Sequence, residues 1–242
     1  MKYHLQMASL IPSLMIVLPA PAAAQAPREQ NVFIRANMGV QPSARTFQLA
    51  ATPVVYGENA ILNSLEGVDG SAMLDLQGGY RVHQRFWIAL GLTTTMSTKS
   101  EARVVEQIPD PLLYDRLAGG QDDLTDLTHK ERSAHLSMIW EMPVSARLDA
   151  SVLGGPSYIK VFQDFIQNVE VTPGTQNATP VPNQATATTM GFHVGGDMTY
   201  ALSPMFGLGG MARYVFATAE LPSAVDLKVG GFQYGGTLRV RF

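Results

Sequence analysis

Gly230-Gly231-Phe232-Gln233-Tyr234-Gly235-Gly236-Thr237-Leu238-Arg239-Val240-Arg241-Phe242 closes the chain, and its two faces differ. Gly230, Phe232, Tyr234, Gly236, Leu238, Val240 and Phe242 fall on one side, and Gly231, Gln233, Gly235, Thr237, Arg239 and Arg241 on the other. Successive side chains point to opposite faces of a strand, so this period of two predicts a strand with one apolar face and one polar or small face. A half-buried strand of a soluble sheet would read the same way. Repetition separates the two readings.

The same alternation recurs upstream. Phe206, Leu208, Gly210, Ala212, Tyr214 and Phe216 oppose Gly207, Gly209, Met211 and Arg213, and Met190, Phe192, Val194, Met198 and Tyr200 oppose Gly191, His193, Gly195, Asp197 and Thr199. Ala134, Leu136, Met138, Trp140 and Met142 oppose Ser133, His135, Ser137 and Glu141, with Ile139 as the exception. Phe86, Ile88, Leu90, Leu92 and Met96 face Trp87, Ala89, Gly91 and Thr93; Ala72, Leu74, Leu76 and Tyr80 face Asp75, Gln77 and Arg81; Val32, Ile34, Ala36, Met38 and Val40 face Arg35, Asn37 and Gln41. A longer segment, 147–172, slips near Gly154-Gly155-Pro156, where a bulge is expected. The count is eight, each long enough for the roughly 9 to 11 residues of a tilted membrane-crossing strand.

The connections sort by length. Residues 82–85, 143–146 and 202–204 read as tight turns, whereas 42–71, 98–130 and 173–187 read as long loops, with a shorter one near 219–225. Short turns at one end and long loops at the other are the arrangement of an outer-membrane barrel. Hydrocarbon offers no water to backbone amides and carbonyls, so a sheet that crosses it must close on itself. The predicted fold is therefore an all-β, eight-stranded antiparallel up-and-down transmembrane β-barrel. Phe86, Trp140, Phe206 and Phe242 would lie beside the short turns, and Tyr158, Phe162, Tyr214 and Phe216 nearer the loops, as two interfacial girdles.

Composition agrees. Hydrophobic residues make up 46% and charged residues 15% of the chain, the latter below the roughly 25% usual in soluble domains. Lys2, an apolar stretch from Met7 to Leu18 and the small residues Ala22, Ala23, Ala24 and Ala26 have the layout of a secretory signal peptide over 1–26. That leaves about 216 residues, 27–242, as one barrel domain. With the leader removed, sixteen basic and twenty acidic residues give a net charge of −4, which carries no nucleic-acid footprint. The chain has no cysteine, which excludes a disulfide framework and a lipid-modified cysteine. Beyond the leader no run of eighteen apolar residues suggests a helical membrane span.

The ending Tyr234, Gly236, Leu238, Val240 and Phe242 resembles the C-terminal assembly signal by which outer-membrane barrels are taken up by their insertion machinery. The mature chain is similar to small bacterial outer-membrane β-barrels of the OmpA type, over roughly residues 30–242 and without a periplasmic domain. Gly154-Gly155-Pro156-Ser157, Gly195-Gly196-Asp197 and Gly230-Gly231-Phe232 add weaker likenesses. The resemblance implies an outer-membrane location in a Gram-negative-type bacterium, contact with outer-membrane lipid and lipopolysaccharide, and no cofactor.

The face turned inward in such a barrel would carry Arg35, Asp75, Arg81, Glu141, Asp149, Asp197, Arg213, Arg239 and Arg241. Eight strands enclose a lumen just wide enough for side chains, so these charges are expected to pair as a plug, with solvation the alternative for Arg239 and Arg241 near the periplasmic mouth. A structural or surface-interaction role follows, with loops 42–71 and 98–130 facing an external ligand; a small-solute pore is the alternative. A soluble lipid carrier of lipocalin shape would share the alternation but fractionate away from membranes.

An enzyme is not expected, although Glu131, Ser133 and His135 alternate onto one face and are the best candidates for a lipid-modifying hydrolase. Such chemistry needs a base beside the hydroxyl and a third group to orient it, and no oxyanion-hole element accompanies them. Asp122, Asp123 and Asp126 lack the spacing of a calcium loop, so no metal is assigned. Asn177-Ala178-Thr179 matches a glycosylation sequon without bacterial meaning, His83 is placed at the water interface, and Leu112–Leu117 is expected to form one helical turn.

Overall fold

The computed structural model describes residues 30–42, 45–96, 98–220 and 226–242. The proposed leader at 1–26 and most of the short connection expected at 219–225 lie outside them. The strands in chain order are β1 (Val32–Gln41), β2 (Arg45–Ala51), β3 (Val54–Val55), β4 (Glu58–Asn59), β5 (Ile61–Val68), β6 (Ser71–His83), β7 (Phe86–Thr95), β8 (Thr98–Pro109), β9 (Leu117–Pro143), β10 (Leu148–Val171), β11 (Ala178–Ala201), β12 (Phe206–Glu220) and β13 (Asp226–Arg241). No helix occurs among the described residues.

Eight of these strands form a closed antiparallel ring in the order β1-β6-β7-β9-β10-β11-β12-β13. It is sealed where β13 pairs with β1, Phe33 opposite Arg241 and Val40 opposite Tyr234. Phe242 follows β13 and exchanges backbone hydrogen bonds with Val32, at 2.9 and 3.3 Å. The eight ring strands correspond one for one to the eight alternating segments, and closure leaves no edge within the ring. At about 3.3 Å per residue, the ten residues of β7 tilted by some 40° rise about 25 Å, the height of an apolar barrel belt.

The long connections are not loops. A second layer of pairing grows from the outer half of β9, in the order β9-β8-β5-β2, and β3 and β4 form a small hairpin beyond it. Residues 42–71 therefore hold four strands, 98–130 hold β8 and half of β9, and β11 begins at Ala178 inside the segment expected to be a loop at 173–187. The membrane template hides these strands because their polarity is reversed. On β8 the buried face is Ala102, Val104, Glu106 and Ile108, while Glu101, Arg103, Val105 and Gln107 face out. Water is the solvent there, so apolar residues turn inward as in any soluble sheet.

Two smaller expectations also change. The ladder from β10 to β9 skips Gly155 and Pro156 with no change of register, Gly154 staying opposite Met138 and Ser157 opposite His135. Pro156 has no amide to donate, and a Cβ on Gly155 would lie 2.0 Å from the carbonyl oxygen of Leu136, so this glycine answers a close approach of strands. The bulge in β10 sits instead between Ile166 and Asn168. Leu112–Leu117 contains bends and a turn, not a helical turn, with Pro109 and Pro111 just before it and a left-handed Asp115 (φ 57°) within it.

The outer half encloses an apolar core made by Phe47 and Leu49 of β2, Val68 of β5, Ile159, Val161 and Phe165 of β10, and Val215, Leu227 and Val229 of β12 and β13. The lumen below it is mostly polar, with Met73 and Met211 among its side chains and one apolar layer of Phe33, Trp87, Ala89, Ile139 and Leu153 near the short turns. Ile139, which breaks the alternation of its strand, belongs to that layer.

Candidate functional site

The filled lumen is the candidate site, and its polar residues fall into tiers along the barrel axis. Nearest the short turns, the Arg239 guanidinium lies 3.1 Å from Glu141 and 2.7 Å from Asp149, and Arg241 pairs with the same two carboxylates, 3.4 Å from Asp149. Trp87 Nε1 donates to Glu141 at 3.2 Å, and Arg81 lies over the Trp87 ring at 4.6 Å. Arg239 is buried and Arg241 half-buried, so both take part in the ion-pair cluster and the solvated alternative does not hold for Arg239. Two carboxylates shared by two arginines make burial tolerable, since each charge keeps an opposite partner.

One tier further in, Arg35 donates to Asp197 at 2.6 Å, and Thr199 donates to the same carboxylate at 3.3 Å. Above it, Arg213 reaches Asp75 at 3.2 Å, Thr93 at 2.9 Å and Gln233 at 2.7 Å, while Asn37 also donates to Asp75. The sequence-predicted interior residues thus come together in three groups: Arg35 with Asp197, Arg213 with Asp75, and Arg239 and Arg241 with Glu141 and Asp149. Arg81 is set apart on Trp87.

Beside Arg213 runs a chain of hydroxyls and imidazoles. Gln77 donates to Ser137 at 3.3 Å, Ser137 lies 2.9 Å from His193 Nε2, Ser157 lies 2.9 Å from His193 Nδ1 and 2.7 Å from His135 Nδ1, and Ser133 lies 2.9 Å from His135 Nε2. The two rings meet edge to face at 4.9 Å. Ser133 and His135 therefore touch, but the group that orients His135 is a serine and not a carboxylate. Glu131 is engaged elsewhere, so the three hydrolase candidates do not assemble as a relay.

Glu131 instead forms a hub at the outer end of the polar lumen. It accepts from Gln41 at 3.1 Å, Arg45 at 3.0 Å and the Gly230 amide at 3.0 Å, and lies 3.1 Å from His129. Gly230 (φ 80°) can turn its amide inward because it carries no Cβ. Arg45 continues past Glu131 to the carbonyl oxygens of Lys228 and Gly230, pinning β2 to β13 across the mouth. Gln41, His193 and Gln233 lie on the polar face the alternation predicts but carry no formal charge to mark them, Ser157 follows the Gly-Pro step, and Arg45 and His129 fall in segments the sequence reads as loops.

In the outer cap, Glu66 of β5 is fully buried beside Ala102, Val104 and Ile166. It accepts the amide of Ile166, at the β10 bulge, at 3.2 Å, while its second oxygen has no partner among the described residues. Desolvation pushes this carboxyl up to about 7, against the smaller opposing effect of the Ile166 hydrogen bond. Glu106, also buried, is raised by the same cause, with Asp122 adding to it.

Asp123 pairs with Arg103 at 3.0 Å on the exposed face of the cap, and no three His, Cys, Asp or Glu side chains among the described residues are placed to hold a metal. Asn177 caps the turn between β10 and β11, its carbonyl accepting from Thr172 at 3.0 Å. His83 is exposed at the end of β6.

Outside, between the two rims, the wall is apolar: Met38, Leu76, Leu90, Leu92, Met138, Met190, Phe192 and Leu208 are exposed. Phe86 and Trp140 stack at 6.5 Å beside the short turns, and Tyr214 and Phe216 lie 4.4 Å apart toward the outer rim. No protein-family model matches the chain, and no curated protein does. Among solved structures it is similar to Neisserial surface protein A (14% identity, 87% of this chain and 97% of that one, TM-score 0.44). It is also similar to the outer membrane protein OprG from Pseudomonas aeruginosa (14% identity, 88% and 96%, TM-score 0.45) and to Ail, the attachment invasion locus protein of Yersinia pestis (10% identity, 88% and 99%, TM-score 0.38). Apolar side chains outside and paired charges inside a closed eight-stranded ring are the organisation of a barrel whose outer solvent is hydrocarbon.

Proposed function

We propose that the chain is an outer-membrane barrel of a Gram-negative-type bacterium, exported by residues 1–26, whose role is structural and surface-interactive and not catalytic. The observation that carries this reading is the contrast between a closed lumen and an elaborated outer end. The lumen is filled by paired polar side chains and one apolar layer, and an apolar core packs above them. Among the described residues the outer end projects three tips: the Tyr56-Gly57 turn, the segment 110–116 and the turn at 172–177. Tyr56 donates to Thr172 and Thr175 at 3.1 and 2.9 Å, and the Asp115 amide donates to Glu58 at 3.1 Å, so the tips are tied together. Leu112, Tyr114 and Val54 stand out from them, 89%, 79% and 70% exposed. Apolar side chains held out on a braced platform suit contact with an external ligand.

On this reading, Tyr234, Gly236, Leu238, Val240 and Phe242 serve the barrel-insertion machinery as an assembly signal, on the lipid-facing side of the strand that seals the ring. Fractionation tests location: the protein is expected with outer membranes and to migrate faster on a gel unboiled than boiled. Recovery in the periplasmic fraction without detergent would refute the proposal. Planar-bilayer recording tests the pore alternative, and the expected result is no steady current above background.

A further inference from the structure

Three cations stand together on the outward face of the wall, where no carboxylate among the described residues pairs with them. Lys130 and Arg132 lie on β9 and Lys160 on β10, with Lys160 opposite Arg132 and Phe162 opposite Lys130. Arg132 and Lys160 are exposed and Lys130 is half-buried. The Arg132 guanidinium lies 5.6 Å and the Lys160 ammonium 5.1 Å from the centre of the same Phe162 ring, so one aromatic positions both. Like charges directly opposed across an antiparallel pair cost stability unless a counter-charge arrives. No ion pair involves the three among the described residues, and the carboxylate next along this face of β10, Asp164, accepts from Thr128 and Gln184.

Their height identifies the counter-charge. Two residues toward the short turns, the same strands carry Ala134 and Tyr158, flanked by Leu92 and Met190. Two residues span about 7 Å, so the cations sit one headgroup above the last apolar ring of the wall. Thr94, opposite Arg132, and Thr188, opposite Lys160, place hydroxyls on either flank.

We propose that Lys130, Arg132 and Lys160 form a binding site for the phosphate groups of a phosphorylated glycolipid in the outer leaflet, seated against Phe162. The proposal rests on the bilayer-spanning reading, and its test separates the two. The barrel in detergent micelles is titrated, with native mass spectrometry as readout, against bisphosphorylated lipid A, the same lipid stripped of phosphate, and inorganic phosphate. The triple variant K130Q/R132Q/K160Q is expected to bind bisphosphorylated lipid A roughly 100-fold more weakly, at about one factor of five per cation. Affinity for the stripped lipid is expected to be equal in variant and parent, and millimolar inorganic phosphate is expected not to compete. The charge-preserving R132K/K160R restores most of the binding.

Equal binding of bisphosphorylated lipid A by parent and triple variant overturns the site. Competition by inorganic phosphate overturns the lipid assignment in favour of a soluble anion. Heat-modifiable mobility of each protein is read alongside: its loss in the parent would strike at the membrane reading itself, whereas its retention confines any failure to the site. The single variant K160Q, on an exposed position, supplies the comparison should the triple variant not fold.

Discussion

Raising the pH from 5 to 8 should loosen the outer cap, and Glu66 is the reason. Its carboxyl is held at about 7 in the folded cap against 4.5 when exposed. Between those values the folded cap keeps a proton that the opened cap has released. Stability contributed by the protonated form is complete below about pH 4.5, falls as pH rises toward 7, and is level above it. The span of about 2.5 pH units corresponds to roughly 3 kcal/mol of cap stability, at about 1.4 kcal/mol per unit. Because Glu66 is fully buried in the seam between β5 and the bulge of β10, solvent does not screen this cost away. The perturbation is E66Q, which keeps an acceptor for the Ile166 amide and removes the titration. Hydrogen exchange in detergent, followed by mass spectrometry on peptides from β5 and β8 and corrected for intrinsic exchange, reads the opening free energy at each pH. The parent should lose protection from pH 5 to 8, and E66Q should be flatter and more protected at pH 8. Glu106 is raised in the same direction, so E66Q retains a small slope that E66Q/E106Q removes. Identical pH profiles in parent and E66Q, or protection that rises with pH in the parent, would refute the argument.

Arg213→Met strands Asp75 in the lumen and should lower barrel stability by about 3 to 5 kcal/mol in urea unfolding from detergent, while R213M/D75L recovers most of that loss because the pair is removed whole; equal instability of the single and double variants would show that the pair is not the issue. Gly230→Ala forces a Cβ to within 2.7 Å of the Val215 side chain at φ 80°. It should cost about 1 to 3 kcal/mol in the same assay and free Glu131 from the Gly230 amide; an unchanged midpoint would contradict it.

Within the bilayer the strands were legible because both sides of each one answer to a single rule. Leu90, Leu92, Met138 and Phe192 face hydrocarbon, and Asp75, Arg213 and Asp197 face the lumen, so period two appears with high contrast. The charged partners were legible as a set but not as pairs. Arg35 lies 162 residues from Asp197 and Arg239 98 residues from Glu141, and only ring closure and stagger decide which arginine meets which carboxylate. Above the rim the contrast failed for a different reason. Phe47, Leu49, Val104 and Ile108 point inward and their neighbours face water, so a search for apolar residues on the outer face passes over β2, β5 and β8.

The inversion of polarity also explains why the hub sits at Glu131. Along β10 the inward residues run Asp149, Ser151, Leu153 and Ser157, then Ile159 and Val161, while the outward ones run Val152 and Tyr158, then Lys160 and Asp164. Inside becomes more apolar at the level where outside becomes more polar, although Gln163, bonded to His129, stays inward and Phe162 outward beyond it. Backbone groups that turn inward at that level face an interior filled by side chains and need partners from them. Glu131 takes the Gly230 amide, and Arg45, held by the same carboxylate, takes the carbonyls of Lys228 and Gly230. One buried ion pair thus joins a barrel solvated by lipid to a sheet solvated by water, and the cations of Lys130, Arg132 and Lys160 mark the same boundary on the outer wall.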